Sequence, residues 1–212
     1  MTMRVIKILT MRPEEIERAS MAVIEREMGP YEGPPENLPI LKRVIHTTAD
    51  FDFVRTLKFS ERAVELGRTA LRSGVTVVTD TVMAASGINK AAASRWGVSV
   101  VCRMADDVVR AEALERGVTR AVVSMEHAAV RTPEAIFAIG NAPTALIRLC
   151  ELVREGVLRP SLIIGVPVGF VNVVESKEML AGMDVPYIVA LGRKGGSPVA
   201  STIVNALLYG LD

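Results

Sequence analysis

The rhythm of apolar and polar positions changes about a third of the way along the chain. Before that point the spacing is helical. Glu14–Met28 follows Pro13, stops at Gly29 and carries Ile16, Ala19, Val23 and Ile24 on one face, the pattern of an amphipathic helix. Gly29–Pro35, Gly-Pro-Tyr-Glu-Gly-Pro-Pro, reads as a loop. A second helix is predicted from about Pro39 to His46, and a third from an N-cap at Ser60 to Gly74. Beyond residue 74, short β-branched runs alternate with helical stretches: Val75–Thr79, Val98–Cys102, Ala135–Ile139, Leu162–Ile164 and Tyr187–Leu191. Continuous apolar strands between helices predict a parallel sheet covered on both faces. The expected fold is α/β, a three-layer α/β/α arrangement with a five-stranded, mostly parallel sheet and an N-terminal helical segment. Residues 1–212 are expected to form one domain, with 1–74 as the helical segment packed on an α/β core of 75–212.

Three predicted strands end in glycine, at Gly140, Gly165 and Gly192, spaced 25 and 27 residues apart, about one βα unit each. Parallel strands share one C-terminal edge. The segments Gly140–Thr144, Gly165–Phe170 and Gly192–Ser197 are therefore expected on that edge, where open α/β sheets bind ligands. Gly192-Arg-Lys-Gly-Gly-Ser197 carries the most chemistry. Its glycines let backbone N–H groups turn inward, Arg193 and Lys194 add charge, and Ser197 is placed to cap a helix opening at Pro198. This suits a carboxylate or phosphate cradle; an ordinary βα turn with a solvated basic pair has the same pattern. Asn141 is a candidate cap with Pro143 in the first turn, and the Thr144 hydroxyl is a candidate ligand contact. Neither a Walker A loop nor a G-x-G-x-x-G fingerprint follows any strand.

Composition narrows the function. Half the residues are apolar, and 25 Lys and Arg oppose 24 Asp and Glu. That balance, with one Trp, three Tyr and five Phe, disfavours a nucleic-acid surface. The longest apolar run, Leu162–Val174, is interrupted by Gly165, Pro167, Gly169 and Asn172 and is not a membrane span. Met1–Leu9 is too short and too charged, with Arg4 and Lys7, for a signal peptide. Cys102 and Cys150 are expected as buried small hydrophobes in a reducing cytoplasm. Of two histidines, His46 lies near a helix end beside polar residues and His127 within a helical stretch over Arg120–Val130. A lone histidine more often serves structure than catalysis, and no pair has zinc-helix spacing, so no protein metal site is expected. Asp50, Asp52 and Asp80 are expected to cap or to be solvated, and Ser176-Lys-Glu178 to open a helix.

Taken together, Arg43-Val-Ile-His-Thr-Thr, Ile139-Gly-Asn-Ala-Pro-Thr-Ala-Leu146, Ile164-Gly-Val-Pro-Val-Gly-Phe-Val171, Glu175-Ser-Lys-Glu178 and Gly192-Arg-Lys-Gly-Gly-Ser197 occur in an order that resembles the precorrin-8X methylmutase family, including its cobalt-precorrin-8 branch. Ser20–Glu27, Thr119-Arg120 and Val204-Asn-Ala-Leu207 extend the resemblance over nearly the whole chain. The resemblance implies a step of cobalamin biosynthesis: a [1,5]-sigmatropic shift of a methyl group from C11 to C12 of a corrin-type macrocycle. It also implies no redox cofactor, no catalytic metal, and a homodimer with transient contact to neighbouring pathway enzymes. By the same resemblance His46 is the proton donor, and Ser20, Arg43, Arg120, Asn141, Thr144, Gly169, Arg193, Lys194 and Ser197 bind the substrate. Such chemistry needs an apolar slot, an acid and anchors for carboxylates, which Arg binds bidentately. The chain departs from the family pattern at Asn172-Val-Val-Glu175, where small residues are usual, and at Ala121, where Ser is common. Two other readings remain at this stage: a corrinoid carrier without catalysis, and a nucleotide-binding α/β enzyme using Gly192–Ser197.

Overall fold

A computed structural model describes Thr10 and residues 12–211; the expectation for Met1–Leu9 lies outside these. The leading part contains α1 (Pro13–Met28), α2 (Leu38–Thr48), the one-turn α3 (Phe53–Thr56), strand β1 (Leu57–Phe59) and α4 (Ala63–Arg72). The rest runs β2 (Val77–Thr79), α5 (Val82–Gly87), α6 (Lys90–Arg95), β3 (Val100–Val101), α7 (Asp107–Arg116), α8 (Arg120–Arg131), β4 (Ile136–Ile139), α9 (Pro143–Arg154), β5 (Leu162–Gly165), α10 (Val173–Ala181), β6 (Tyr187–Ala190) and α11 (Ser197–Tyr209).

All five predicted strands are present, and the sheet has a sixth. Its order is β1-β6-β5-β4-β2-β3, parallel except for β1, which pairs antiparallel with β6 through Leu57↔Ala190, Lys58↔Val189 and Phe59↔Ile188. Three residues inside the segment expected to be helical thus close one sheet edge. A strand this short has too few alternations to show a period of two. Ser60 does not cap α4. Its hydroxyl accepts the Tyr187 N–H at 2.8 Å, and Arg62 stands at the cap position with φ 56°.

Side-chain alternation along the strands divides the core into two layers. Ile136, Ala138, Ile164 and Ile188 face α2, α4 and α11, while Phe137, Ile139, Ile163 and Val189 face α8, α9 and α10. The β2–β3 crossover, through Ile88 and Ala93, packs on the first face. The connections from β3 onward pack their α8, α9 and α10 on the second. The winding therefore reverses between β2 and β4. Cys150 is buried, and burial pushes its thiol up to about 11. Cys102 departs from expectation: it follows the edge strand β3 and is only half-buried. Among the described residues no helix is long and apolar enough to cross a membrane.

Candidate active site

The reversal between β2 and β4 opens the sheet's C-terminal edge at that point, the usual ligand position of a doubly wound sheet. Asp80, directly after β2, is fully buried there rather than solvated. Its carboxylate accepts the N–H groups of Gly140, Asn141 and Ala142 at 2.9, 2.8 and 2.6 Å. Burial pushes its carboxyl pKa up, and the three amides oppose that shift. The arrangement shapes the turn after β4. Ala142, not Asn141, takes the cap position of α9, and Pro143 opens the helix as predicted. The Asn141 side chain is exposed, and the Thr144 hydroxyl meets that of Thr119 at 3.0 Å.

The β6–α11 loop is held from beneath. Lys177, buried within α10, donates from Nζ to the carbonyls of Gly192 and Lys194, each at 2.8 Å. Val173 opens α10, so Ser176 and Lys177 lie inside the helix instead of forming its first turn. The Gly169 N–H donates to the Arg193 carbonyl at 3.2 Å, and the Gly196 N–H to the Val166 carbonyl at 2.8 Å. Gly195 has to be glycine: a Cβ there would stand 2.1 Å from the Val166 oxygen. The Arg193 and Lys194 side chains stay exposed on the outer side. The Arg193 guanidinium lies 5.6 Å from the Phe170 ring centroid. Lys194 is paired with Asp50 and Asp52, both at 2.6 Å, which raises the lysine pKa; Lys194, then Arg55, lowers that of Asp52. Ser197 is the first residue of α11 rather than its cap, a position held by Gly196, and its hydroxyl meets that of Thr81 at 2.8 Å.

His46 sits on the last turn of α2, which ends at Ala49 in the left-handed region (φ 51°). A hydroxyl contact of 3.0 Å between Thr47 and Thr202 fixes this turn against α11. The imidazole is exposed, has no hydrogen-bond partner among the described residues, and opens into a groove of about 570 Å³. Ile16, Ala19, Val23, Ile24 and Phe51 give the groove apolar walls, and Ser20 and Glu27 are its other polar members. Ser20 and His46 thus share one groove. Arg43, one turn earlier, points elsewhere, 4.7 Å from the Tyr209 ring centroid and 3.6 Å from Glu17. Arg120 opens α8, exposed, with one bond of 3.4 Å to the Met104 carbonyl. His127 stands apart, bound to Glu112 at 2.7 Å.

The candidates therefore fall into two groups. His46 and Ser20 share the groove, and the segment just past His46 carries Asp50 and Asp52, which pair with Lys194 of the Arg193 loop. Asn141, Thr144 and Arg120 accompany the β4 end, by way of the Thr119 contact. Asp80, Thr81 and Lys177 order these loops, yet no local motif marks them for it; an aspartate directly after an apolar strand is the nearest signal. Among the described residues no group of three or more His, Cys, Asp or Glu side chains converges to hold a metal ion.

An open α/β sheet with basic and hydroxyl-bearing loops at its switch edge, beside an imidazole in an apolar groove, defines a small-molecule-binding protein of the doubly wound class. Comparison with known proteins is more specific. The precorrin-8X methylmutase family matches residues 15–210, and the chain belongs to that family. It is 44% identical over 201 residues to the cobalt-precorrin-8 methylmutase of Priestia megaterium, covering 95% of this chain and 89% of that protein. It is 45% identical over 206 residues to the enzyme of the same name from Salmonella typhimurium, covering 94% and 96%. The crystal structure of the precorrin-8X methylmutase of Thermus thermophilus superposes with a TM-score of 0.84 at 38% identity, over 92% of this chain and 96% of that one.

Proposed function

We propose that this protein is an isomerase of cobalamin biosynthesis that moves a methyl group from C11 to C12 of precorrin-8X or its cobalt-containing counterpart, with His46 as the proton donor. Membership of the family supports the reaction. The observation that carries the residue assignment is the His46 ring, unpartnered among the described residues, in an apolar groove. The C11–CH₃ bond breaks and the C12–CH₃ bond forms within one molecule, so a proton lent by the imidazole is returned. Apolar walls suit the macrocycle face. Ser20 offers a hydroxyl beside the acid. Arg120 and Arg193, both exposed on the loop-bearing side, take peripheral carboxylates, and Lys194 shares its charge between Asp50, Asp52 and the ligand. Arg43, Asn141, Thr144, Gly169 and Ser197 complete the proposed substrate contacts. The chain works as one domain, a reading supported by the pairing of β1 with β6, and as a cytoplasmic homodimer in transient contact with neighbouring enzymes of the sequence. A carrier would use the groove but not the imidazole, so the acid separates the two readings.

His46→Ala should lose about 10²–10⁴-fold in turnover, the usual contribution of a general acid, while still binding the corrin product. His127→Ala should turn over as the parent does. Absorbance assays of conversion and of product titration check both. Full turnover in the His46 variant would remove the assignment.

A further inference from the structure

Lys177 is a fully buried cation whose partners among the described residues are two backbone carbonyls and no carboxylate. Those carbonyls belong to Gly192 and Lys194, and the Arg193 carbonyl between them is taken by the Gly169 N–H. Two of these three carbonyls are thus drawn to the buried ammonium, while the Arg193 side chain stands exposed. A carbonyl oxygen is the negative end of a peptide dipole, and one facing the sheet edge would repel an anionic ligand. Resting on the functional reading above, we propose that Lys177 is a positioning residue, whose buried ammonium turns the Gly192 and Lys194 carbonyls away from the ligand edge so that the loop accepts a substrate carboxylate.

Burial is costly for a cation, and here the bonds to the two carbonyls offset that cost. Burial lowers the Lys177 pKa from 10.5 to about 8. The elements packed against α10 carry Arg148, Cys150, Glu151 and Arg154 on α9 and Tyr187 on β6; Glu175 and Glu178 lie on α10 itself, and Arg193 and Lys194 with Asp50 and Asp52 at the loop; among the described residues none of these side chains is bonded to Nζ. The ammonium is therefore charged near pH 7 and neutral well above pH 8, where its hold on the carbonyls weakens.

The test uses the full chain, with hydrogenobyrinic acid, the cobalt-free product of the proposed reaction, as the probe. In the unliganded wild type, the amide resonances of residues 192–196 should move with a midpoint of about 8. Affinity for the probe should fall about tenfold between pH 7 and pH 9, the effect of losing one charged hydrogen bond. Lys177→Met, which replaces the desolvated cation with an apolar chain, should bind about tenfold more weakly at both pH values. Its loop amides should not titrate, and KM should change more than kcat. The wild-type titration needs no variant and stands if Lys177→Met folds poorly. Loop resonances without a transition in this range, or a folded Lys177→Met that binds like the wild type, would overturn the proposal. A loop that titrates as expected in a protein binding no corrinoid at any pH overturns the functional reading and leaves the positioning of the loop standing.

Discussion

Asp80 shows how one side chain organises the C-terminal edge of the sheet. An ionised carboxylate only accepts hydrogen bonds, and this one meets three backbone donors converging from residues 140–142. Asp80→Asn is nearly the same size but presents an NH₂ group to at least one of those donors. Loss of that bond, with a buried amide left unpaired, should cost about 1–3 kcal/mol. Denaturant unfolding measures the stability loss, and the Asn141 and Ala142 amide resonances report the disturbed turn. A variant as stable as the parent with unmoved resonances would show that the turn forms without the carboxylate.

Between elements, the face opposite His46 is tied by charge. Glu126 on α8 accepts from Arg116 of α7 at 2.6 and 3.1 Å and from Arg148 of α9 at 2.8 Å; Arg116 also reaches Glu112, and Arg148 reaches Glu151 and Glu155. Isolated surface pairs contribute little, but a partly buried carboxylate joining three helices contributes more. Arg116, followed by Arg148, holds the Glu126 pKa below 4.5. A depressed carboxyl pKa adds stability that is present above pH 4.5 and is lost as pH falls through the folded value. Glu126→Gln should therefore destabilise the protein by about 1–2 kcal/mol near neutrality, and the difference from wild type should shrink in acid and in high salt. Thermal melts at several pH values and ionic strengths would reveal it; a difference independent of both would mean the network contributes shape rather than charge.

Across the whole molecule, the two arginines proposed to take peripheral carboxylates come from distant parts of the chain, Arg120 from the start of α8 and Arg193 from the β6–α11 loop. Each anchor holds a separate carboxylate if one macrocycle spans the edge. Replacing either with Ala should weaken product binding by about 1.5–3 kcal/mol, one to two decades in affinity. Replacing both should add those losses, since separated sites do not share partners. Absorbance titration of the two single variants and the double would decide; a double variant no weaker than one single would mean the two residues serve the same contact.

Much of this protein was legible from local pattern. The parallel strands β4, β5 and β6 are continuous apolar runs, and burial on both faces demands that composition whatever the order of strands. Glycines at strand ends and Pro143 at the start of α9 likewise answer to backbone geometry over a few residues. The family was legible because several loop motifs keep their order along the chain. Other features exist only where distant segments meet. The β1 strand is defined by its pairing with residues 188–190, not by any periodicity of its own. Ser60 and Ser197 look like caps because hydroxyls before helices usually cap, but the Tyr187 amide and the Thr81 hydroxyl compete for them across 127 and 116 residues. Asp80 reads as a cap or a solvated charge, and Lys177 as part of the opening turn of a helix, since most such residues are. Only the tertiary structure buries them and supplies three amides to one and two carbonyls to the other, because the satisfaction of a polar group depends on what the folded chain brings within hydrogen-bond reach.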